Sequence, residues 1–565
     1  MTRAPSGPAR APGVVYTPAT VAGPMVQLAL DPLARGRASA ELLALRICDP
    51  AIGEGAFLVE VVRVLGEHLL AAWRTEGVTG SESDARCTIA RTCIAGVDVD
   101  AEAVAAARVT LGAGDALRVA DALELAWDTA YPAVFARGGF DAVVGNPPYI
   151  RQERLAAHKP ALRSFASFDG VADLYVYFVE LAHRLARRGG RYCLITPNKW
   201  LTAAYARPLR RFLAAQGSVE GLLDLARGAL FADADAFPSI VWGTVGSAQV
   251  TPIRAARVPA RLAVADALRD AGTPHARARW TTEPWHIDLP AERSLIDRLE
   301  QAWPPLGDVV TGRPMRGVVT GYNRAFEIDR DTRDRLLADE PAAAPLVRRL
   351  VKGRDLRRWR PADAERWILL IDRGTSLDEL PRLRAHLARF RAALEPRPPG
   401  TPATVGSGRK PGAYRWFELQ DPVGELAAAR TPRLFYQDIM TDPVCCLDAG
   451  DLVPDTTVWT LPSADRYLLA VLNSSLYGWY ARRRFPPALN GAVRPKHAYL
   501  CRLPIATPAP ALRARIEQLV EERLAMAVTA IEVPALDAAL DAAVMDAYEL
   551  DATDRVQLAS PAESS

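Results

Sequence analysis

The stretch DPAIGEGAFL, residues 49–58, decides the fold. The apolar run from Leu43 to Cys48 predicts a strand before it, and the apolar residues after it recur at helical spacing. A strand, a glycine-rich turn and a helix form the first unit of a doubly wound α/β sheet, which binds ligands at the carboxyl ends of its strands. Glycine lets the backbone approach a ligand closely. The acid at Asp49 suits a zwitterionic or cationic ligand better than a pyrophosphate.

Two further acids lie at the ends of predicted strands. Asp98 follows the apolar run that begins at Cys93, and an acid in this place normally accepts hydrogen bonds from the ribose hydroxyls of a nucleoside. Asp121 lies in a short strand and turn and can accept from an adenine amino group, with Asp115 as the weaker alternative. Any one of these acids could instead be a helix N-cap or a loop carboxylate. Together with Asp49 they predict a ligand that contains a nucleoside.

A second stretch, DAVVGNPPY at residues 141–149, predicts a buried strand that stops at Gly145. Two successive prolines remove two backbone donors and fix two φ angles, so Asn146 is held in a stiff frame with Tyr149 close behind it. The carbonyl oxygens of Asn146 and Pro147 accept hydrogen bonds but do not compete as bases. This arrangement suits a planar group that carries an NH2. The alternative is an ordinary turn after a strand.

Length and composition exclude several classes of protein. A chain of 565 residues predicts about three domains. No apolar run is long enough and free enough of charge to cross a membrane. The seven cysteines are scattered and lack a CxxC pair, which indicates a reducing cytoplasm and predicts neither a disulfide scaffold nor a metal site. The net charge is only +3, so a surface for nucleic acid must be local.

Basic runs beside aromatic residues recur in the second half of the chain. One of them, KGRDLRRWR at residues 352–360, places cations around a tryptophan. A single run of this kind is more often a solvated face, but four of them favour contacts to phosphates, which position a protein on DNA without reading its sequence. The predicted contacts are Arg313, Arg316, Lys352, Arg354, Arg357, Arg358, Arg409, Lys410, Arg482 and Arg483.

The motifs, in this order, resemble those of the DNA adenine-N6 methyltransferases of the gamma type, which use S-adenosylmethionine and serve as type II restriction-modification methylases. In these enzymes the cofactor and catalytic motifs precede one target-recognition domain. The resemblance covers Tyr16 to about Val245 by motif and continues loosely to about Pro504. It implies an α/β fold: a Rossmann-like S-adenosylmethionine-dependent methyltransferase domain, then an α+β target-recognition domain and a C-terminal helical segment.

The resemblance also implies a role for individual residues. Asn146, Pro147 and Tyr149 look like the catalytic NPPY motif. Tyr149 would stack on one face of the target base and Phe231 on the other, with Phe237 as the alternative to Phe231. The residues that look like the cofactor site are Tyr16, Thr17, Pro18, Asp49, Pro50, Ala51, Gly53, Gly55, Asp98 and Asp121.

The implied reaction requires the adenine to leave the duplex, at a cost of a few kcal/mol. Stacking on Tyr149 would offset part of that cost, since base–aromatic stacking contributes ~1–3 kcal/mol. The oxygens of Asn146 and Pro147 would draw the amine hydrogens toward a tetrahedral arrangement and so localise the nitrogen lone pair. Positioning and aligned dipoles then supply the rate enhancement. The sequence carries no zinc signature, no covalent nucleophile and no Pro-Cys pair for cytosine attack.

The predicted organisation is a disordered leader (1–13), a methyltransferase domain (14–254), a connector (255–300), a target-recognition domain (301–509) and C-terminal helices with a tail (510–565). The expected partner is double-stranded DNA, and a cognate restriction endonuclease, if the system has one, is expected on a separate chain. We expect a cytoplasmic monomer without a membrane contact.

Two other functions compete with this hypothesis. NPPY also occurs in methylases of protein glutamine, and related motifs occur in RNA methylases. Those chains are usually much shorter and lack a second half of this kind. A non-catalytic DNA-binding subunit that keeps the fold is the other alternative. The intact Asn146 and the glycines at Gly53 and Gly55 argue against it.

Overall fold

The computed structural model describes residues 17–155, 158–225, 237–246, 252–258, 262–270, 272–400, 408–423, 430–486, 488, 491–526 and 533–559. The chain forms two compact units, which divide between Leu289 and Pro290. No helix among the described residues is long and apolar enough to span a bilayer.

The strands of the first unit belong to one sheet. Their bounds are β1 Ile47–Asp49, β2 Ile94–Asp98, β3 Leu117–Val119, β4 Phe140–Gly145, β5 Ala186–Pro197, β6 Val219–Leu225, β7 Pro238–Thr244, β8 Ile253–Val258 and β9 Thr273–His275. Among the described residues these nine strands follow the order β3-β2-β1-β4-β5-β7-β6-β8-β9. Strands β1 to β5 are parallel, and β7 runs antiparallel to both β5 and β6. The predicted α/β fold class is confirmed.

Helices cover both faces of this sheet. Their bounds are α1 Ala19–Ala34, α2 Ser39–Leu43, α3 Ala56–Glu76, α4 Glu82–Thr92, α5 Ala101–Leu111, α6 Trp127–Ala130, α7 Pro132–Phe135, α8 Lys159–Leu162, α9 Tyr175–Leu185, α10 Arg207–Gln216 and α11 Val264–Asp270. Ala142 and Val144 of β4 pack into the core that contains α1 and α3, and Val143 packs into the core that contains α9. Burial on both faces explains why residues 142–144 of β4 are all apolar.

The strand order reverses between β1 and β4. Cys48 of β1 pairs in parallel with Val143 of β4, so Asp49 and Gly145 end neighbouring strands at the same edge. In open α/β sheets the crevice at such a reversal binds the ligand. The fold therefore brings together the two stretches that the sequence singles out.

The second unit contains two four-stranded sheets among its described residues. Its strands are β10 Met315–Arg316, β11 Glu327–Asp329, β12 Val347–Val351, β13 Arg366–Leu369, β14 Arg433–Gln437, β15 Cys445–Asp448, β16 Leu452–Pro454 and β17 Val458–Leu461. The sheet orders are β10-β17-β14-β15 and β11-β13-β12-β16. A short turn at residues 455–457 therefore carries the chain from β16 in one sheet to β17 in the other.

Helices pack around these two sheets. Their bounds are α12 Pro290–Ala302, α13 Leu306–Val309, α14 Asn323–Phe326, α15 Arg330–Asp339, α16 Pro381–Ala388, α17 Arg391–Leu394, α18 Arg466–Val471, α19 Ser475–Arg484, α20 His497–Leu500, α21 Pro510–Ala525, α22 Val533–Ala547 and α23 Ala552–Ala559. The last three cover most of the stretch that the sequence predicts as C-terminal helices.

The structure differs from the sequence-based expectations in one larger and one smaller respect. The residues from 255 onward, interpreted as part of a connector, contain most of β8, α11 and β9, and β8 pairs with β6 inside the main sheet. Ile253, Ala255 and Val258 of β8 are buried, but its alanines hide the strand, because alanine has a low preference for strands. The first strand starts at Ile47 rather than at Leu43, because Leu43 is the last residue of α2.

Candidate active site

The glycine-rich turn after β1 contains two left-handed residues. Gly53 has φ of 52° and Gly55 has φ of 89°, a region that favours glycine. A Cβ added at Gly53 would meet nothing within 4 Å, whereas one at Gly55 would lie 3.3 Å from the Cβ of Ala107. Gly53 therefore faces open space at the strand edge, and Gly55 packs against α5.

Asp49 is buried beneath this turn. Its Oδ1 accepts a hydrogen bond of 2.9 Å from the backbone N–H of Ala51. A Cβ at Gly145 would lie 2.6 Å from the same oxygen, so the approach of β4 requires glycine at that position. Burial, aided by the nearby charge of Asp98, raises the pKa of Asp49 to about 7, although the hydrogen bond from Ala51 lowers it.

We expect Asp49 to make the cofactor-free protein less stable as the pH rises. Its pKa is higher in the folded state than in the unfolded chain, so the folded state binds more protons between pH 4 and 7. The free energy of unfolding therefore decreases as pH rises through this window, by at most about 4 kcal/mol from this group. Asp49→Asn keeps an acceptor for Ala51 and should remove this part of the decrease. Denaturant unfolding at pH 5 and pH 8 measures the difference; an identical pH dependence in both proteins would contradict it.

Asp98 connects the end of β2 to the glycine-rich turn. Its Oδ2 accepts from the N–H of Gly53 at 2.8 Å, and its Oδ1 accepts from the N–H of Asp100 at 2.9 Å. The next residue, Val99, is 70% exposed, which is unusual for valine directly after a buried strand. Sequence reasoning missed Val99. The signal that could have found it is an apolar residue between two acids at a strand end.

Asp121 lies just beyond β3, at the same edge of the sheet as Asp98. Its Oδ1 accepts from the N–H of Leu123 at 2.9 Å, and its Oδ2 lies 3.5 Å from Nδ1 of His158. Glu124 is also within 3.7 Å of the same histidine nitrogen. His158, which the sequence did not single out, therefore lies beside the acid predicted to receive an adenine amino group.

The NPPY motif meets the N-terminal motif directly. The Asn146 side chain donates from Nδ2 to Oγ1 of Thr17 at 3.0 Å, although the two residues are 129 positions apart. Thr17 is 3% exposed and immediately precedes Pro18 and α1. Tyr16, predicted as part of the same motif, lies outside the described residues.

Tyr149 is held by the segment that leads into α9. Its ring lies edge-on to Tyr175, with centroids 6.5 Å apart and planes at 71°. The N–H of Leu174 donates to the carbonyl of Ile150 at 3.0 Å, which fixes the backbone after the motif. The hydroxyl of Tyr149 is buried and has no hydrogen-bond partner among the described residues, and burial raises its pKa.

The structure describes only one of the two aromatic residues predicted to stack on the other face of the target base. Phe231 lies outside the described residues. Phe237 is half-buried, and its carbonyl accepts from the N–H of Asn198 at 2.7 Å, directly after β5. Phe237 therefore belongs to the same strand edge as the NPPY motif.

The cations predicted to contact DNA differ in their exposure and in their partners. Arg409 is 3% exposed and donates to backbone carbonyls that include those of Thr320 and Glu418, and burial lowers its pKa to about 10. Arg483 is buried against Glu292, and Lys352 pairs with Glu327 at 2.6 Å. These side chains stabilise the second unit. Arg358, exposed but 3.6 Å from Asp537, and half-buried Arg482 are intermediate.

The remaining predicted cations are exposed, and no carboxylate within the described part of the chain forms an ion pair with them. They are Arg313, Arg316, Arg354, Arg357 and Lys410.

Comparison with known proteins shows which family and which relatives the chain is similar to. Residues 92–231, which include β2, β4 and the NPPY motif, match the family model described as Eco57I restriction-modification methylase. This part of the chain is therefore similar to restriction-modification methylases. The chain is 28% identical to the type II methyltransferase M.PaeR7I of Pseudomonas aeruginosa, over 81% of this chain and 80% of that protein. It is 22% identical to the type II methyltransferase M.BstVI of Geobacillus stearothermophilus, over 96% and 97% of the two chains.

A solved structure extends the likeness beyond the methylase domain. The type IIL restriction-modification enzyme MmeI, solved in complex with DNA, superposes with a TM-score of 0.62 at 14% identity, and the match covers 95% of this chain and 74% of that one. At this identity the likeness shows the fold. The prediction of a methyltransferase of the restriction-modification type is confirmed by the family match and the curated relatives.

Proposed function

We propose that this enzyme transfers the methyl group of S-adenosylmethionine to N6 of an adenine flipped out of double-stranded DNA, at a specific sequence, as the modification enzyme of a restriction-modification or phage-defence system. One observation carries this proposal. A rigid Asn-Pro-Pro-Tyr segment lies at the same strand edge as a glycine turn linked to the acid Asp98.

The residues at this edge fit S-adenosylmethionine. The open space at Gly53 leaves room for the backbone to approach a ligand, and Asp98, half-buried at the end of β2, suits ribose hydroxyls. The exposed Val99 gives an adenine ring an apolar surface to cover. Asp49, buried under the turn, would be stabilised in its charged form by the amino group of a zwitterion. When bound, the cofactor supplies an electrophilic methyl group.

The chain's own residues would prepare the amine for attack. The Asn146 side-chain oxygen and the Pro147 carbonyl are acceptors, and an exocyclic amine offers two hydrogens. Accepting both hydrogens localises the nitrogen lone pair. The two prolines fix the backbone that carries these oxygens before the base arrives, so little reorganisation is needed during the reaction. Tyr149 would stack on the extruded ring.

The test is transfer of a radiolabelled methyl group from S-adenosylmethionine into unmethylated DNA, total RNA and total protein, each from a methylation-free host. Label in N6-methyladenine of DNA alone is the expected result. Incorporation into RNA or protein without DNA would contradict the proposal.

The Tyr149 ring should matter far more than its hydroxyl. Tyr149→Ala removes the stacking surface and is expected to lower kcat/KM for DNA by about 10- to 100-fold, in line with ~1–3 kcal/mol for one base–aromatic stack. Tyr149→Phe keeps the ring and should stay within about threefold of the wild type, because the hydroxyl has no partner among the described residues. Steady-state kinetics on a DNA substrate compare the two. Equal losses of kcat/KM in both variants would show that the hydroxyl, and not stacking by the ring, accounts for the effect of Tyr149.

A cationic surface of the second unit is the proposed phosphate contact. Arg316 of β10 donates from Nε to the carbonyl of Thr456 at 2.7 Å. The N–H of Gly353 donates to Oγ1 of Thr457 at 2.7 Å, which places the next residue, Arg354, beside the same turn. Two exposed arginines thus lie next to the turn at residues 455–457. Phosphate contacts at such a pair would place the turn against the duplex.

Replacing both arginines should reduce the salt dependence of DNA binding. Each neutralised phosphate contributes about 0.9 to the slope of log K against log salt, so Arg316→Gln with Arg354→Gln should make the slope shallower by about 1.8. Binding titrations of a DNA duplex between low and high salt measure it. Arg330→Gln is the matched control, since Arg330 is also exposed but pairs with Glu365. A slope unchanged by the double substitution would exclude the turn from the DNA surface.

We also propose the cytoplasm as the place of action and a restriction endonuclease, if present, as a separate chain. All seven cysteines are free, and five of them are buried. Unpaired thiols are typical of a reducing compartment.

A further inference from the structure

We propose that Thr17 is a positioning residue for methyl transfer, because its hydroxyl anchors the Asn146 side chain with Oδ1 turned away from Thr17. This inference rests on the proposed function, and it assigns Thr17 a role beyond a place in the cofactor site. The contact that carries it is the hydrogen bond of 3.0 Å from Asn146 Nδ2 to Thr17 Oγ1.

Both partners of this hydrogen bond are held by rigid surroundings. Thr17 is 3% exposed and precedes Pro18, whose carbonyl accepts the first hydrogen bonds of α1, from Val21 and Ala22. Helix α1 in turn packs into the core against α3 and the sheet. Asn146 follows a buried strand and precedes two prolines. Neither backbone can shift easily to compensate for a lost contact.

The orientation of the amide decides whether Asn146 can act. An asparagine side chain has an acceptor at Oδ1 and two donors at Nδ2. The adenine amine brings donors, so an amide turned with Nδ2 toward it would set donors against donors. Thr17 Oγ1 accepts from Nδ2, which directs Oδ1 away from Thr17. In the orientation that the structure shows, the hydroxyl of Thr17 therefore holds the amide with Oδ1 on the side that the reaction requires.

The variants Thr17→Val and Thr17→Ser separate this role from simple packing. Valine keeps the shape of threonine but removes the acceptor, and serine keeps the acceptor. With cofactor and DNA both saturating, we expect Thr17→Val to lower the single-turnover rate by about 10- to 100-fold, in line with the cost of small misplacements of reacting groups. Thr17→Ser should stay within about threefold of wild type. Thr20→Val, an exposed threonine on α1, is the matched control.

Two readouts besides the rate identify the mechanism. Cofactor affinity, measured by calorimetry, should change less than about threefold in Thr17→Val, since the cofactor is not what the lost acceptor holds. The second readout is the side-chain amide spectrum of protein labelled with 15N-asparagine. The chain has five asparagines, Asn146, Asn198, Asn323, Asn473 and Asn490. In the cofactor-free protein, Thr17→Val should shift the Asn146 NH2 signals and leave the other four in place.

The outcomes are distinct. The proposal is supported if Thr17→Val has a low single-turnover rate, normal cofactor affinity and a shifted Asn146 signal, and if Thr17→Ser restores the rate. A normal saturated rate, or a loss that more cofactor restores, overturns it and leaves Thr17 as a cofactor contact. An unchanged Asn146 signal also overturns it. Failure of the wild type itself to methylate adenine contradicts the proposed function instead.

Discussion

Asn146→Ala is expected to abolish measurable methyl transfer, a loss of about 10³-fold or more, while DNA and cofactor still bind. Removing one preorganised group that stabilises a transition state typically costs about 10²–10³-fold in rate, and here the same side chain also orders the amine. Its neighbours, Gly145 and Pro147, are fixed by a buried strand and by the proline ring, so the fold should survive.

Rate and binding must be measured separately for this variant. Single-turnover transfer gives the rate, and calorimetry and gel shift give the cofactor and DNA affinities. The matched control is Asn323→Ala, the same change at an exposed asparagine of the second unit, which should keep the wild-type rate. Full turnover in Asn146→Ala would exclude the proposed mechanism.

Asp98→Ala is expected to weaken cofactor binding strongly. The carboxylate would lose its bonds to ribose hydroxyls, and the N–H of Gly53 would lose its acceptor. Hydrogen bonds to a charged group contribute about 1.5–3 kcal/mol, so cofactor affinity should fall by about 10- to 100-fold. Calorimetric titration with S-adenosylmethionine or its demethylated product measures this loss.

Asp100→Ala is the matched control for that prediction. Asp100 is two residues further on, and its side chain caps α5 by accepting from the N–H groups of Glu102 and Ala103. Its removal should cost about 1 kcal/mol of stability but leave cofactor affinity within a few-fold. An unchanged affinity in Asp98→Ala, or an equal loss in both variants, would mean that the ribose site lies elsewhere.

The features that sequence predicted best are local ones. The strand, glycine turn and helix around Gly53 and the NPPY segment each lie within about ten residues, where apolar pattern and glycine or proline chemistry decide the backbone. Because parallel strands end at one edge, the meeting of Asp49 and Asn146 also followed from the predicted sheet.

The features that sequence did not predict depend on long-range contacts. The Thr17–Asn146 hydrogen bond joins residues 129 positions apart. Arg409 and Arg354 both lie in basic stretches beside aromatics, yet one is buried among backbone carbonyls and the other is exposed. Nothing local distinguishes them, since an arginine stem packs as readily as it extends into solvent. The strand β8 was hidden for a similar reason, because its pairing with β6 decides its structure.

The most direct measurement of the central claim is single-molecule sequencing of DNA from a methylation-free host that expresses the wild-type chain. We predict N6-methyladenine at one defined sequence, present at nearly every copy of it, and absent from cells that express Asn146→Ala. DNA without N6-methyladenine, from cells that contain folded wild-type protein, would contradict the account.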